Sequence, residues 1–330
     1  MSLGRLAIKR SLQGIGVVWG VITVVFALRF ITPGSVINAV APLDASQETR
    51  QAIAAELGLD QPLYVQYGQY LVELVQGDMG FSYVKGQAVT TMVFQRVPAT
   101  VELAVAATIV AIVLSIPLGV LSATRRNSPV DYGATLFSLG GISTPNFWLG
   151  IMLILVFAVQ FDVFQTSGRG ATSVAVVAAL VGPEPFIGTL LEWLSYITLP
   201  AIALGTYFMA LITRLTRSGM LDELGKSYVR AARAKGAPEA LVRYKHALRN
   251  TLIPVITVLG LQLGTLIGGA VITEAVFAWP GLGTLVIQSI NLRDWPALQG
   301  CLIVIGTAFV IVNIVVDIIY GYLDPRVVYD

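Results

Sequence analysis

Cysteine and histidine are nearly absent from this 330-residue chain, with Cys301 and His246 the single examples of each. One thiol cannot close an intrachain disulfide, and one imidazole with one thiolate cannot supply the ligand set of a zinc site. Charge is scarce too. Asp, Glu, Lys and Arg make up 12% of the residues against 55% hydrophobic ones, and the mean hydropathy is +0.77. Soluble domains carry about a quarter of their residues as charges, so a water-soluble globule is excluded and an integral membrane protein is expected. The net charge of +2 points to no nucleic-acid partner and says little until it is divided by side of the membrane. Internal repeats and low-complexity tracts are also missing.

Long apolar runs are what the chain has in their place. Arg5, Lys9 and Arg10 precede a run from about residue 12 to 31, and a helix of about 20 residues crosses about 30 Å of hydrocarbon. Ala39-Val40-Ala41 gives this run the look of a cleavable leader. The run exceeds an ordinary leader core, and Pro42 stands where cleavage would fall, so a retained first span is expected. Further spans are expected at about 101–122, 132–160, 193–215, 252–276 and 297–322. Residues 33–98 are polar enough to lie outside, with amphipathic helices expected over 45–57 and 63–76. The apolar stretch 171–181 is too short to cross and is expected to be an interfacial or buried helix outside. Pro145, within I-S-T-P-N-F-W-L-G (142–150), should kink the third span, and Ser143, Thr144 and Asn146 are placed to satisfy the freed backbone groups. Such a kink serves either a transport path or helix packing alone.

Basic charge tests the six-span arrangement. With both termini inside, only Arg29, Arg50, Lys85, Arg96, Arg169 and Arg293 fall outside, and the rest of the 21 basic residues lie within. Were 171–181 to span, the basic loop after the fourth span would be forced outside, against that rule.

That loop holds Tyr228 to Pro254, Y-V-R-A-A-R-A-K-G-A-P-E-A-L-V-R-Y-K-H-A-L-R-N-T-L-I-P. Two short helices are expected, Ser227 to Lys235 closed by a left-handed Gly236, and a second starting at Pro238 with Glu239 at its positive end. On the residues alone it is either a grip for a soluble partner or a basic loop that sets topology. The runs Y-V-R-A-A-R-A-K-G and R-Y-K-H-A-L-R-N-T-L-I-P resemble the EAA loop of ABC-importer permeases, in the variant of the oligopeptide, dipeptide and nickel group. Arg230 stands where the general pattern has Glu, and Pro254 lies further from the Gly; both departures look usual for that group. The pieces E-L-G-L-D-Q-P-L (56–63), Q-Y (66–67) and G-D-M-G-F-S (77–82) resemble the first external region of its B-type dipeptide subunit. The resemblance implies a part in receiving a binding protein; an ordinary structured loop fits the residues equally. T-E-A-V-F-A-W-P-G-L-G-T-L (273–285), L-R-D-W-P-A-L-Q-G (292–300) and N-I-V-V-D-I-I-Y-G-Y-L-D-P-R (313–326) are similar to the family's C-terminal signature. The resemblance covers nearly the whole chain, least at 171–185.

This resemblance implies an all-α, single-domain membrane protein of the type I ABC-importer permease fold, with six spans and both termini cytoplasmic. It also implies a cytoplasmic coupling loop over 217–251 in which Tyr228, Arg230, Ala231, Ala232, Ala234, Gly236, Ala237, Arg243 and His246 engage an ATPase. The implied partners are a second, homologous permease, two ATPases that use ATP and magnesium, and an extracytoplasmic substrate-binding protein, all in membrane lipid. No catalytic residue, metal or cofactor is expected on this chain. Gly219 and Gly225-Lys226-Ser227 imitate a phosphate loop, but five residues separate the glycines where four are needed, and a membrane helix precedes them in place of a strand. Pro145, Asn146, Glu274, Asn313 and Asp317 are candidates for the translocation path or for polar ties within the bundle. Trp279-Pro280-Gly281 is expected to be a rigid external turn. The rival classes are a self-sufficient secondary transporter, which would show an inverted repeat and ion-site carboxylates, and an intramembrane enzyme.

Overall fold

The computed structural model describes residues 3–31, 46–56 and 58–323. The leader-like triplet with Pro42, both ends of the expected 45–57 helix, and the D-P-R ending with Arg326 lie outside the described residues. In hydrocarbon every backbone N–H and C=O must be paired within the chain, so the apolar runs fold as helices. These are α1 (Leu3–Ile31), α4 (Val89–Thr124), α5 (Pro129–Ser143), α6 (Asn146–Leu153), α8 (Phe186–Leu224), α10 (Leu248–Val276) and α12 (Trp295–Leu323). Shorter helices join them: α2 (Gln47–Glu56), α3 (Leu63–Val75), α7 (Ser173–Ala179), α9 (Ser227–Ala234) and α11 (Leu282–Leu292). A two-residue hairpin, β1 (Phe81–Ser82) with β2 (Gln87–Ala88), leads into α4. Among the described residues four helices, α1, α4, α8 and α12, are long and apolar enough to cross a bilayer, and a bent pair raises this to five if it counts as one span. α10, at 29 residues, occupies the expected fifth span.

α4 and α8 form the centre of the bundle, and small residues let them approach closely. A Cβ added at Gly205 would lie 2.8 Å from the Ala107 carbonyl oxygen, and one at Gly119 would lie 2.6 Å from Thr216 Cβ. Lipid tails are as apolar as leucine, so helix association in a bilayer rests on such close packing and on buried polar ties. Ala99, Leu103, Ala107, Ala201, Leu204 and Ile212 are all buried in this seam, and Val255, Leu266 and Ala270 of α10 close it from a third side. α1 lies along α12, tied by Gln299 Nε2 donating to the Val25 carbonyl at 3.1 Å and by Arg10–Asp317 at 3.1 Å.

Several boundaries differ from expectation. α4 begins at Val89, well before residue 101, because Val89 and Val93 are buried against Leu285, Ala297 and Cys301, and that packing overrides the breaker signal of Pro98. α8 runs for 39 residues, overshooting 193–215 at both ends. The stretch expected as a kinked third span is two helices, α5 and the α6 unit, meeting at 113°. Thr144, the residue before the proline, is held extended (φ −86°, ψ 126°) and cannot continue the helix. Its hydroxyl donates to the Gly140 carbonyl at 2.7 Å, which also accepts from Thr144 N at 2.9 Å, so it does not serve the carbonyl of residue 141 that proline leaves without its helical donor. A π-helical segment, Ile154–Gln160, continues α6. The stretch 171–181 is indeed a short helix, α7, capped by Thr172 accepting from Ala175 N at 3.1 Å.

Gly205→Val should therefore be overpacked, at a cost on the order of 1–3 kcal/mol. The measurement is the melting temperature of the purified protein in detergent, with Gly133→Ala as control, since nothing lies within 4 Å of a Cβ there. A drop for the first and none for the second is expected.

Candidate functional site

The basic loop folds as a helical hairpin at one end of the bundle. Two residues separate the end of α8 from α9, which closes at Gly236, whose φ is +80°. Gly236 N donates to the Arg233 carbonyl at 2.9 Å and Ala237 N to the Ala232 carbonyl at 3.2 Å. This pair of bonds is the Schellman closure, and it needs a left-handed residue at its turn. Space around Gly236 is open, with nothing within 4 Å of an added Cβ, so the demand for glycine comes from the backbone alone. The expected second helix forms, with Val242 N reaching the Pro238 carbonyl at 3.1 Å. It passes through a π-helical segment, Leu241–Ala247, straight into α10, so it is the start of a long helix and not a separate one.

Three side chains pin the hairpin from behind. Val229, Val242 and Ala247 are fully buried, the last against Met220 and Ala123. Tyr228 closes the base: its hydroxyl donates to Glu223 Oε2 at 2.6 Å and accepts from Asn250 Nδ2 at 3.0 Å. Lys226 Nζ reaches Glu223 Oε1 at 2.5 Å. Burial works against the charged form of Glu223, but the bonds from Lys226 and Tyr228 outweigh it and its pKa is lowered. At the tip, Glu239 accepts from Arg233 Nε at 2.7 Å and from Arg243 Nε at 3.3 Å, clasping the two halves. Both clasp pairs are exposed, where solvent screening leaves an ion pair little net stabilisation.

The front of the hairpin is open. Arg230, Ala231, Ala234, Lys235, Gly236, Lys245 and Arg249 are exposed, Tyr228 is at the exposed limit, and Ala232, Ala237, Arg243 and His246 are half-buried. Small alanines flanked by cations make a surface that another protein can approach closely. Gly219 lies inside α8, where an added Cβ would meet Thr251 Cγ2 at 2.7 Å, and Gly225 has a right-handed backbone closing that helix. The resemblance to a phosphate loop is thus a helix contact followed by a helix end.

Behind the hairpin a buried carboxylate, missed in the sequence, locks α5 to α8. Asp131 is 3% exposed and accepts from Arg217 through both oxygens, at 2.6 and 2.9 Å. Ser122 Oγ (2.6 Å) and Asn127 N (3.0 Å) complete its shell. The Arg217 bonds hold its carboxyl far below the usual carboxylate range. Ser128-Pro-Val-Asp131 at the start of α5 was the available signal, a capping box in which Ser128 Oγ accepts from Asp131 N at 3.4 Å.

The five candidate path residues do not converge. Pro145 and Asn146 sit at the break, and Asn313 lies beside Gly264 of α10. Asp317 pairs with Arg10 across α12 and α1. Glu274 is fully buried and accepts from Thr100 Oγ1 (2.6 Å), Gly283 N (2.7 Å) and Thr284 N (3.1 Å), so it caps α11. In the expected Trp279 turn the indole is fully buried and donates to the Ala99 carbonyl at 2.8 Å. Beside it Glu102, also missed, binds Arg169, Ser173 N (2.6 Å) and Trp193 Nε1 (2.6 Å).

Fold and loop together define a polytopic membrane protein with a helical hairpin exposed at one end of its bundle. The chain matches the family described as binding-protein-dependent transport system inner membrane component over residues 115–329, and that family's N-terminal membrane component over residues 3–104. It is 38% identical over 331 residues to the dipeptide transport system permease protein DppB of Alkalihalophilus pseudofirmus, covering 98% of this chain and 99% of that protein. It is 39% identical to the oligopeptide transport system permease protein AppB of Bacillus subtilis, over 98% of each. DppB of Escherichia coli is 39% identical over 93% of this chain and 94% of that protein. The chain belongs to the binding-protein-dependent transport system inner membrane component family. It is a multi-pass cell-membrane permease subunit and not an enzyme.

Asp131→Ala should leave Arg217 and Ser122 without their acceptor. Arg217 can turn partly to water, so the loss is on the order of 1–3 kcal/mol, read as a lower melting temperature. The depressed pKa sets the sign with pH. The stabilisation is complete above the unfolded-state value of about 4 and is lost progressively below it. Wild type should therefore lose its advantage over Asp131→Asn on acidification below about pH 4.

Proposed function

We propose that this chain is one permease half of an ATP-driven importer for peptides, and that the 217–251 hairpin is where a cytoplasmic ATPase docks. The observation that carries the docking is the glycine-closed hairpin, buried on its back and open along Ala231, Ala234 and Lys235 on its front, in a chain of this family. Peptides are the proposed cargo because the relatives are named for dipeptide and oligopeptide transport. The assembly is a second, homologous permease, two ABC ATPases that consume ATP with magnesium, and an extracytoplasmic binding protein, with no cofactor held by this chain. The fold is the six-span type I permease, α5 with the α6 unit being the third span and α10 the fifth. Both termini and the hairpin are cytoplasmic, as the distribution of Lys and Arg supports. α8 runs without interruption from the Glu102-bound Trp193 to the root of α9, so movement of the hairpin turns the central helix of the bundle.

Single cysteines at Gln61 and Val181, both exposed, should react with an impermeant thiol reagent in intact cells, and one at Ala234 only after permeabilisation. Labelling of Ala234→Cys from outside would overturn the topology. Gly236→Val forces a β-branched residue to φ +80°, a strain on the order of 1–3 kcal/mol concentrated at the docking helix. The variant should insert normally but recover less ATPase in a pull-down and lose uptake, with Gly236→Asn milder. Wild-type assembly and transport by Gly236→Val would reduce the hairpin to a topogenic loop.

A further inference from the structure

At the end of the bundle away from the basic hairpin, α3 is fastened along the last turns of α1. Tyr67 donates its hydroxyl to Thr23 Oγ1 at 2.6 Å, since Thr23 itself donates to the Trp19 carbonyl. The Phe26 ring lies 5.1 Å from Tyr67 and 5.5 Å from Tyr70. The apolar stretch of α1 runs Ala7–Phe30, so Phe26 lies about 6 Å along the helix from its end. That depth puts α3 at the edge of the hydrocarbon.

Around its axis α3 has three strips. Gln66, Tyr67, Tyr70 and Leu74 are the covered strip, with the tyrosines against α1. Tyr64, Gly68, Val72 and Val75 form a second strip, within about 80° at 100° per residue, and Tyr64 and Val75 are 77% and 90% exposed. Gln69, Glu73 and Gln76 form a third, exposed and polar, centred about 110° further round. A helix packed on one side, apolar on another and polar on a third has the division of a helix lying in a membrane surface beside a span, with its tyrosines at headgroup level.

Its rotation is fixed at both ends. Gln66 Nε2 donates to the Leu59 and Gln61 carbonyls at 3.2 and 2.8 Å, holding the entry turn. Beyond the exit the β1–β2 hairpin is tied to the bundle by Ser82–Asp294 at 2.5 Å and Lys85–Gln288 at 2.9 Å. On α1 itself, Val24 and Phe30 are exposed.

We propose that the Tyr64, Val72 and Val75 face of α3 seats on the lipid bilayer, in the boundary between headgroups and acyl chains of the leaflet opposite the basic hairpin. α3 carries no Lys or Arg, so the attraction is burial of apolar surface and needs no anionic lipid. The seat sets the height at which the region preceding α4 stands over the bundle. This inference rests on α1 crossing the membrane and not on the ATPase reading, so either can fail alone.

The test places a nitroxide label at Val72→Cys, Val75→Cys, Gln69→Cys and Glu73→Cys, one at a time, in the complete transporter carrying Cys301→Ala in this subunit. Collision rates with oxygen and with a water-soluble nickel chelate are measured in phosphatidylcholine vesicles, with and without phosphatidylglycerol, and again without the binding protein. Labels at 72 and 75 should favour oxygen and resist nickel, those at 69 and 73 the reverse, regardless of anionic lipid or binding protein. Nickel access at 72 and 75 equal to that at 69 and 73 overturns the proposal. So does shielding from both probes, or shielding that vanishes with the binding protein, since a protein and not lipid would then cover the face.

Discussion

The close contact between α4 and α8 is the constraint on which the other elements depend. Apolar helices gain little by leaving lipid for one another, so the seam exists because Gly205, Gly119 and the surrounding alanines allow backbones to touch. Buried carboxylates then fix the seam at each end. Asp131 with Arg217 does so near the basic hairpin, and Glu102 with Arg169 and Trp193 does so at the opposite end. Each carboxylate has donors for both oxygens, and a charge so deep is tolerable only with such a complete shell.

Magnitudes separate what holds the hairpin from what decorates it. The Glu239 clasp with Arg233 and Arg243 is half in solvent, where screening leaves it little net stabilisation. Burial of Val229, Val242 and Ala247 and the left-handed closure at Gly236 matter more, because they fix where the exposed alanines point. The surface cations are then free to set the rate and salt dependence of an encounter without being needed to keep the hairpin folded.

Local signals were legible in the sequence and distant ones were not. Gly236 announced its left-handed turn, α3 and α7 appeared where amphipathicity and length placed them, and Pro145 marked the break between α5 and α6. The size of that interruption was not readable, because it depends on Thr144 leaving the helix altogether. The start of α4 and the whole of α11 were hidden, since Arg96, Pro98 and a short mixed sequence suggest a loop until burial against Leu285 and Cys301 is known. Glu102 and Asp131 were passed over because their arginine partners stand 67 and 86 residues away. Glu274 drew notice as an intramembrane acid, and its capping of α11 became visible only with the turn that brings Gly283 and Thr284 to it.

Replacing Ala231, on the exposed front of α9, with a photoreactive amino acid in the assembled transporter addresses the docking surface most directly. Irradiation should yield an adduct with the ATPase subunit, and the same substitution at exposed Val181 should yield none. A transporter that assembles and imports normally, yet gives no ATPase adduct from position 231, would contradict the assignment of this hairpin as the coupling element.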